Sequence, residues 1–460
     1  MDLQLSLAIL VGKTIGLINK LTGSGATAAP GLYALKIDPN LIKKLSGKIE
    51  FGNVVISGTN GKTTTTRLTS HILPAKYKII HNRQGSNLLR GIASTLIKNT
   101  SIGGKINGNL GLWEVDEATL PQALENLNPN KIVLLNLFRD QLDRYGEIDS
   151  VRKKWQTSLS KLQRGATLIL NADDPGIAYL AKDFKGKTVC FGVEDKKLDL
   201  PQTANVADIH NCLNCGSKLV YSTVLSSHMG HYSCTNCGLK RPNVQVGASH
   251  LKFNPDFSTS FDLSINNYQL QTTHFPLPGL YNAYNVLAAS ALCDNLQTDH
   301  TRINQRLTDF QSAFGRFQTI EVGTNKKVTI FLIKNPTGAN EVLRILSLKS
   351  NLSVLVALND NFADGTDVSW IWDTDWEILT PKIKHLAVCG TRCWDMATRL
   401  KYADFKLSKN NVYEDINYSL QNSVESLSEN ETLIILPTYT AMLEIQKSLN
   451  KIGGVKWHEQ

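Results

Sequence analysis

The chain has 460 residues, 42% of them hydrophobic, with a formal net charge of +9 and a pI near 9.0. That length holds two or three cores, because single cores stop growing near ~250–300 residues. Lys and Arg are scattered without a long basic block, so the charge suits anionic ligands or an anionic membrane face without making the chain a nucleic-acid binder, and eight cysteines are too sparse for a disulfide scaffold.

Near the N-terminus, Leu5-Ser6-Leu7-Ala8-Ile9-Leu10-Val11-Gly12 forms an apolar run that Lys13 and Lys20 cut short. It is too short to span a bilayer and lacks the basic start and small-residue cleavage site of a secretory signal. The expectation is a packed helix, or one lying on a membrane surface, in a cytoplasmic protein. Next, the apolar strand Asn53-Val54-Val55-Ile56-Ser57 runs into Gly58-Thr59-Asn60-Gly61-Lys62-Thr63-Thr64-Thr65, which has the composition of a phosphate cradle. Glycines let the backbone approach phosphate, successive N–H groups and a helix N-terminus favour negative charge, Lys62 would reach the β/γ-phosphates of ATP, and the Thr63 hydroxyl would ligate Mg²⁺. Counted back from Gly61, Ile56 stands where the longer form of this loop has its first glycine.

Lys78-Ile79-Ile80, Leu110 to Val115, Lys131 to Leu137 and Ala166 to Asn171 read as further strands separated by helix-length segments. This predicts an α/β fold with a parallel sheet covered by helices on both faces. Functional groups then gather at the carboxyl ends of the strands. Glu114, Asp116 and Glu117 stand there, as do Asn136 with Arg139 and Asp140, and Asn171 with Asp173 and Asp174.

Between about residues 206 and 246 the pattern changes. Cys212-x-x-Cys215 and Cys234-x-x-Cys237, each pair followed by glycine (Gly216, Gly238), have the spacing of a zinc ribbon inserted in the nucleotide-binding domain. Four thiolates around Zn²⁺ leave no open position, so the metal is expected to be structural. Ser222 to Ser227, read as a loop of the ribbon, carries no Lys or Arg, which argues against nucleic-acid binding. A sheet-like segment resumes at Ser258 to Leu263.

Gly279 then opens a helix with Asn282 and Asn285 on one face, either as buried capping amides or as groups that read a base. Ala313 to Gln318 looks like a domain joint, dividing the chain into 1–312 and 313–460. Beyond it a second, smaller α/β unit has strands at Val328–Ile333, Leu352–Leu358, His385–Cys389 and Thr432–Leu436. Their ends carry Lys334-Asn335-Pro336-Thr337-Gly338, Asn359-Asp360-Asn361, Gly390-Thr391-Arg392 and Pro437-Thr438-Tyr439-Thr440, so a second crevice should face the first across the joint.

The set Gly58-Thr59-Asn60-Gly61-Lys62-Thr63-Thr64, Glu114, Asn171-x-Asp173-Asp174, Asn282-x-x-Asn285 and Gly315-Arg316 resembles the Mur ligase superfamily, whose cradle has this shortened form. The four-cysteine ribbon, Arg139 to Glu147 and Asn359-Asp360-Asn361-Phe362-Ala363-Asp364-Gly365-Thr366-Asp367-Val368-Ser369-Trp370 are more closely similar to the MurT family. Those are the Mur-ligase-like subunits of lipid II isoglutaminyl synthase. The resemblance implies a P-loop ATPase domain followed by a Rossmann-like C-terminal domain, and a GatD-like glutaminase as partner in a heterodimer. It also implies ATP-dependent amidation of the D-glutamate α-carboxylate of lipid II, at the inner face of the plasma membrane. By the same resemblance Thr63 and Glu114 hold Mg²⁺, Asn282 or Asn285 holds adenine, and Arg316 holds ribose or phosphates.

A carboxylate is a poor acyl donor, and phosphorylation by ATP would give an acyl phosphate that ammonia displaces, with charge neutralised by the cradle, Lys62 and Mg²⁺. The ammonia needs a thiolate elsewhere: Cys190 and Cys293 read as core, and Cys389 and Cys393 lack a nucleophile turn. The resemblance points to an acid of the loop Asn359–Trp370 orienting the partner's Cys-His pair. Of Asp360, Asp364 and Asp367, the expectation falls on Asp367, whose alternative role is a turn or capping aspartate. No motif matches Lys182, Lys185 or Lys187 to the carbamylated lysine of amino-acid-adding relatives, and Lys334 to Gly338 departs from their acidic or His-bearing run. Two other readings stand beside this one: a ligase adding an amino acid to a nucleotide-linked peptide or to folate, and a nucleotide-switched zinc-ribbon module that binds nucleic acid.

Overall fold

The computed structural model describes residues 2–22, 28–82, 86–139, 148–200, 208–270, 272–311, 317–323 and 325–453. Arg316 with Gly315, and the run from Asp140 to Glu147, lie outside the described residues. The chain opens with α1 (Leu3–Thr22), α2 (Ala29–Ile37) and α3 (Leu41–Ser46). It then alternates β1 (Asn53–Ser57), α4 (Lys62–Ile72), β2 (Ile79–His81), α5 (Leu89–Lys98), β3 (Leu110–Glu114), α6 (Leu120–Leu127), β4 (Lys131–Leu134), α7 (Ile148–Leu159), β5 (Thr167–Asn171), α8 (Pro175–Tyr179) and β6 (Lys187–Val193). The hairpin β7 (Val220–Ser226) and β8 (Met229–Ser233) precedes β9 (Val246–Phe253), β10 (Thr259–Ile265), β11 (Tyr268–Gln269), β12 (Thr273–Phe275), α9 (Leu280–Asn295) and α10 (His300–Thr308).

β1 is buried at every position, and its successive residues serve two cores. Val54 and Ile56 join Leu68 and Ile72 of α4 and much of α9, whereas Val55 joins Ile92 and Leu96 of α5 and Ile9 of α1. A continuous apolar strand is stable only when both faces are covered, and here they are. The sheet runs β11-β10-β9-β6-β5-β4-β1-β3-β2, with β12 also on β10. Its pairs are parallel from β2 through β6 to β9 and antiparallel beyond. α9 is apolar nearly all round and is accordingly buried, where it packs against α4.

A second sheet follows. Its elements are β13 (Gln318–Val322), β14 (Lys326–Ile330), α11 (Pro336–Leu346), β15 (Leu352–Ala357), β16 (Ile383–Cys389), α12 (Cys393–Tyr402), β17 (Val412–Tyr413), α13 (Ile416–Glu425), β18 (Thr432–Pro437) and α14 (Tyr439–Gly453). The order is β13-β14-β18-β15-β16-β17, parallel except at β13–β14. Rings of Phe257, Phe317 and Phe331 meet with centroids 5.3–5.8 Å apart and bridge the two sheet bodies, which holds their strand ends toward one another.

Three expectations are corrected. α1 is not a short run: it has 20 residues and is long and apolar enough, by length and composition, to cross a membrane. Lysine is a good helix former, so Lys13 and Lys20 do not end it. β4 stops at Leu134 rather than Leu137, because past Leu135 the backbone turns to other partners, Leu137 N–H to Asp174 and Phe138 N–H to Thr59 of the cradle. Ser222 to Ser226 is no loop but part of β7, paired with β8, and the turn is at Ser227 and His228.

Candidate active site

The cradle sits between β1 and α4. Gly61, at φ +87, precedes the helix, and a Cβ there would lie 2.1 Å from Asn285 Oδ1; a Cβ on Gly58 would strike Leu135 and Asn136. The loop is clamped to the segment after β4. Asn60 N–H donates to Asn136 Oδ1 (2.8 Å), Asn136 Nδ2 donates back to the Asn60 carbonyl (3.1 Å), and Phe138 N–H donates to Thr59 Oγ1 (3.0 Å).

Lys62 is buried and ion-paired with Glu117 at 2.8 Å, with further bonds to the Gly58 and Thr59 carbonyls. Burial alone would lower its ammonium; Glu117, with Glu114 and Asp116 behind it, outweighs that and holds it above the ordinary lysine value. Thr63 Oγ1 donates to Glu114 Oε1 at 2.8 Å, which places the two expected Mg²⁺ ligands side by side. Asn82 fixes the Glu114 backbone from both sides, accepting from its N–H (3.0 Å) and donating to its carbonyl (2.8 Å). Sequence reasoning missed Asn82 and the pairing role of Glu117. For Glu117 the signal was its place at the β3 strand end; Asn82 had only its position just after β2.

Asn282 and Asn285 meet at the start of α9. Asn285 Nδ2 donates to Asn282 Oδ1 (3.0 Å), Asn282 Nδ2 to the Pro278 carbonyl (2.8 Å), and Thr65 Oγ1 to Asn285 Oδ1 (3.3 Å). Both amides are buried and line the cavity over the cradle, and the helix start has Gly279 as its N-cap with no side-chain cap bond. Asp173 and Asp174 have scaffold partners instead. Asp173 takes Arg241 (2.5 Å), Val193 N–H and the Tyr284 hydroxyl, and Asp174 caps α8 and accepts from Leu137 N–H.

The opposite wall comes from the second sheet. Lys334 Nζ donates to the Thr59 carbonyl (3.3 Å) and Asn335 Nδ2 to Asn60 Oδ1 (3.1 Å), so the β14–α11 loop lies on the cradle itself. One cavity of about 420 Å³ is therefore lined both by Thr59 to Thr64 and by Thr337, Glu341, Asp364 and Tyr439. Glu341 is buried and accepts from Ser226 Oγ of β7 at 2.8 Å; burial pushes its carboxyl up against the lowering effects of Arg344 and Ser226.

The three acids of the Asn359–Trp370 loop have different surroundings. Asp364 is buried, reaches the cavity and accepts from Thr440 N–H (2.8 Å) and Oγ1 (2.5 Å). Asp360 is ion-paired with Arg392 at 3.1 Å. Asp367 is exposed and accepts from Ser369 N–H at 2.8 Å; the Ser369 backbone and hydroxyl, with the Arg392 charge, hold its carboxyl below the usual range. The same body exposes Phe362, Trp372, Trp394 and Tyr402, and the Trp372 and Tyr402 rings lie 5.5 Å apart. Cys190 and Cys293 are buried, as expected for core, and Cys389 and Cys393 are buried as well.

The four ribbon cysteines come together with every Sγ within 4.8 Å of the others. Cys212–Cys237 and Cys215–Cys234 are 3.5 Å apart, near the ~3.8 Å edge of a tetrahedron with Zn–S of about 2.3 Å. Two matched turns present them: Gly216 N–H donates to the Cys212 carbonyl and Gly238 N–H to the Cys234 carbonyl, both glycines at positive φ. The donor set fits Zn²⁺.

Comparison with known proteins adds the following. Residues 56–239 match the Mur ligase middle domain and residues 332–442 the MurT ligase C-terminal domain. Over 455 residues the chain is 33% identical to the lipid II isoglutaminyl synthase (glutamine-hydrolyzing) subunit MurT of Streptococcus pneumoniae, covering 98% of each chain. It is 32% identical to the Staphylococcus aureus subunit of that name, over 96% of this chain and 97% of the other. Among solved structures, a pseudomurein peptide ligase type C from Methanothermus fervidus superposes with a TM-score of 0.67 at 21% identity, over 88% of this chain and 79% of that one. MurF from Acinetobacter baumannii gives 0.66 at 16% identity, over 91% and 80%, a likeness of fold.

Proposed function

The chain belongs to the MurT family of Mur ligases, and we infer from that membership that it is the ligase subunit of a glutamine-hydrolysing lipid II isoglutaminyl synthase. It converts the D-glutamate α-carboxylate of the lipid II stem peptide to the amide, using ATP, in peptidoglycan synthesis. The observation that carries the mechanism is the single cavity walled by the cradle on one side and by α11 and the acidic loop on the other.

Displacing oxide from a carboxylate is unfavourable. Transfer of the ATP γ-phosphoryl group to one carboxylate oxygen makes that oxygen leave as phosphate, and ammonia then forms the C–N bond and loses a proton. The cradle N–H groups and Lys62 would hold the phosphates, with Asn282 and Asn285 at the base, and Arg316 on the ribose or phosphates. In the free enzyme Glu117 keeps Lys62 charged and folded into the loop; phosphate would exchange with that carboxylate. Thr63 and Glu114 would hold Mg²⁺, which when bound neutralises charge on phosphate oxygens. Cys212, Cys215, Cys234 and Cys237 would hold Zn²⁺ as a structural ion. In this division the ATP-binding part spans 1–312 and the acidic-loop part 313–460.

Ammonia comes from a GatD-like glutaminase subunit. Asp367 is the acid to which this reading gives the orienting of that partner's Cys-His pair; its exposure supports the choice, where Asp364 is buried and Asp360 is ion-paired. The exposed aromatics of the same body, Phe362, Trp372, Trp394 and Tyr402, suit a protein interface, where Trp and Tyr are enriched. The enzyme works at the inner face of the membrane, where a lipid-linked substrate is held. The test supplies purified chain with ATP, Mg²⁺, ammonium and lipid II. Product in which one carboxylate OH has become NH2 supports amidation; product heavier by an amino-acid residue supports the ligase alternative. No product from wild type or from Lys62→Ala alike would reject both.

A further inference from the structure

α1 carries an apolar stripe that the fold leaves uncovered. Leu3, Leu7, Leu10, Leu17, Ile18 and Leu21 are all exposed, from 48% at Leu10 to 82% at Leu3. At about 100° per residue these positions fall on one side of the helix. The other side, Leu5, Ala8, Ile9 and Gly12, is buried against α2 and α5, and a Cβ at Gly12 would lie 2.7 Å from Ile97. Leu32 and Tyr33 of α2 extend the exposed apolar surface.

Cations flank it. Lys13 and Lys20 share one edge of α1, and Lys36 of α2 lies over the Tyr33 ring at 5.4 Å. Lys43 is exposed on α3. The two acids that precede Glu50, Asp2 and Asp38, are both paired with Lys44, at 2.7 and 2.8 Å, so the surface field here is positive.

We propose that this stripe, with its lysine edge, lies flat on an anionic phospholipid bilayer and holds the enzyme at the surface where its lipid-linked substrate is presented. The choice of a bilayer rests on the function proposed above together with the charge. A spanning α1 would have to strip its buried side from α2 and α5 and break the bond from Gln4 Nε2 to the Ile37 carbonyl (2.7 Å); a surface-lying α1 keeps all of these. Leucine and isoleucine bordered by lysine is the composition of an interfacial helix, in which lysine stems run along apolar surface with the ammonium in the headgroups. Protein interfaces instead favour aromatics and Arg and are depleted in Lys, and the patch of that kind is around Trp372 and Trp394. α5, against which α1 packs, follows Asn87, which lines the active-site cavity, so the docked face sits one helix from the cleft.

The test is co-sedimentation of the full chain, and of its complex with the glutaminase, with vesicles of phosphatidylglycerol or of phosphatidylcholine. The expected result is binding to phosphatidylglycerol that weakens with salt. It should fall by at least about tenfold in Leu7→Asp/Leu17→Asp and by about fivefold for each of Lys13→Gln and Lys20→Gln. ATP binding by each variant checks that it folds, and a milder pair, Leu7→Gln/Leu17→Gln, replaces any that does not. No sedimentation with either vesicle would overturn the proposal. So would equal binding by wild type and variants, or loss of the glutaminase or a change of oligomeric state in the leucine variants, which would make the stripe a protein interface. Vesicle binding without amidation of lipid II would leave the surface standing and reject the functional reading.

Discussion

The two walls of the cleft are built differently. On the cradle wall the working side chains are locked within the nucleotide-binding part, Lys62 to Glu117 and Thr63 to Glu114, and the Asn60 backbone is held by the Asn136 amide. On the acidic-loop wall Asp364 is tied inward to Thr440, whereas Asp367 faces outward. A wall that binds a small anion can be complete within one chain. The partner-facing role proposed for Asp367 needs that exposure.

The comparison is broken hardest at Lys62. Lys62→Ala should lower ammonium-driven and glutamine-driven amidation alike, by at least about 10²–10³, as for removal of a preorganised charge-stabilising donor. A variant that lost only the glutamine route would move Lys62 to the other wall. A smaller effect on the same wall should come from Asn82→Ala. By loosening Glu114 it should raise the Mg²⁺ concentration for half-maximal turnover by about tenfold or more, measured by magnesium titration at fixed ATP.

Across the cleft, Asp364→Asn weakens two hydrogen bonds to a buried carboxylate and should cost about 1–3 kcal/mol of stability, read as a lowered Tm with both nitrogen routes reduced in parallel. The ribbon gives a separate check. Cys234→Ser should lose bound zinc and lower Tm, seen by metal analysis and calorimetry, and unchanged stoichiometry would exclude a four-thiolate site.

The smallest expected effect is a pH dependence at Glu341. Burial raises its folded pKa above the ordinary value of 4.5, so the folded state keeps a proton that the unfolded chain releases. Stability from this group is therefore greatest below 4.5 and falls as pH rises through the folded value. Glu341→Gln cannot ionise. Its Tm relative to wild type should rise by a few degrees from acid to neutral pH, at about 2–4 °C per kcal/mol, and a constant difference would refute the buried-acid account.

What was legible in the sequence followed the range of each interaction. The cradle is legible because its shape is set locally, by Gly61 at positive φ and by Lys62 and Thr63 opening α4. The paired cysteines could be read for the same reason. Lys62 with Glu117 and Asn82 with Glu114 could not, since both depend on which strands become neighbours. Asn171, Asp173 and Asp174 stood out as a motif, yet the backbone N–H groups they satisfy show a scaffold. α1 was read too short because an apolar run is not what a helix requires. One buried side, Leu5 to Gly12, anchors it, and the remainder continues in solvent with good helix formers. β7 looks like a loop in the sequence because Ser222, Thr223 and Ser226 are polar, yet Thr223 to Ser226 are all buried in the hairpin.

The most direct test of the divided cleft is the source of the product's nitrogen in an Asp367→Asn complex with its glutaminase. Isotopically labelled ammonium and unlabelled glutamine are supplied together with ATP and lipid II. The account predicts that the labelled amide forms at the wild-type rate while the unlabelled amide falls by about 10² or more, as expected when an imidazole loses its orienting acid. If both products fall together, with the label fraction unchanged, Asp367 belongs to the ligase wall and the division is wrong.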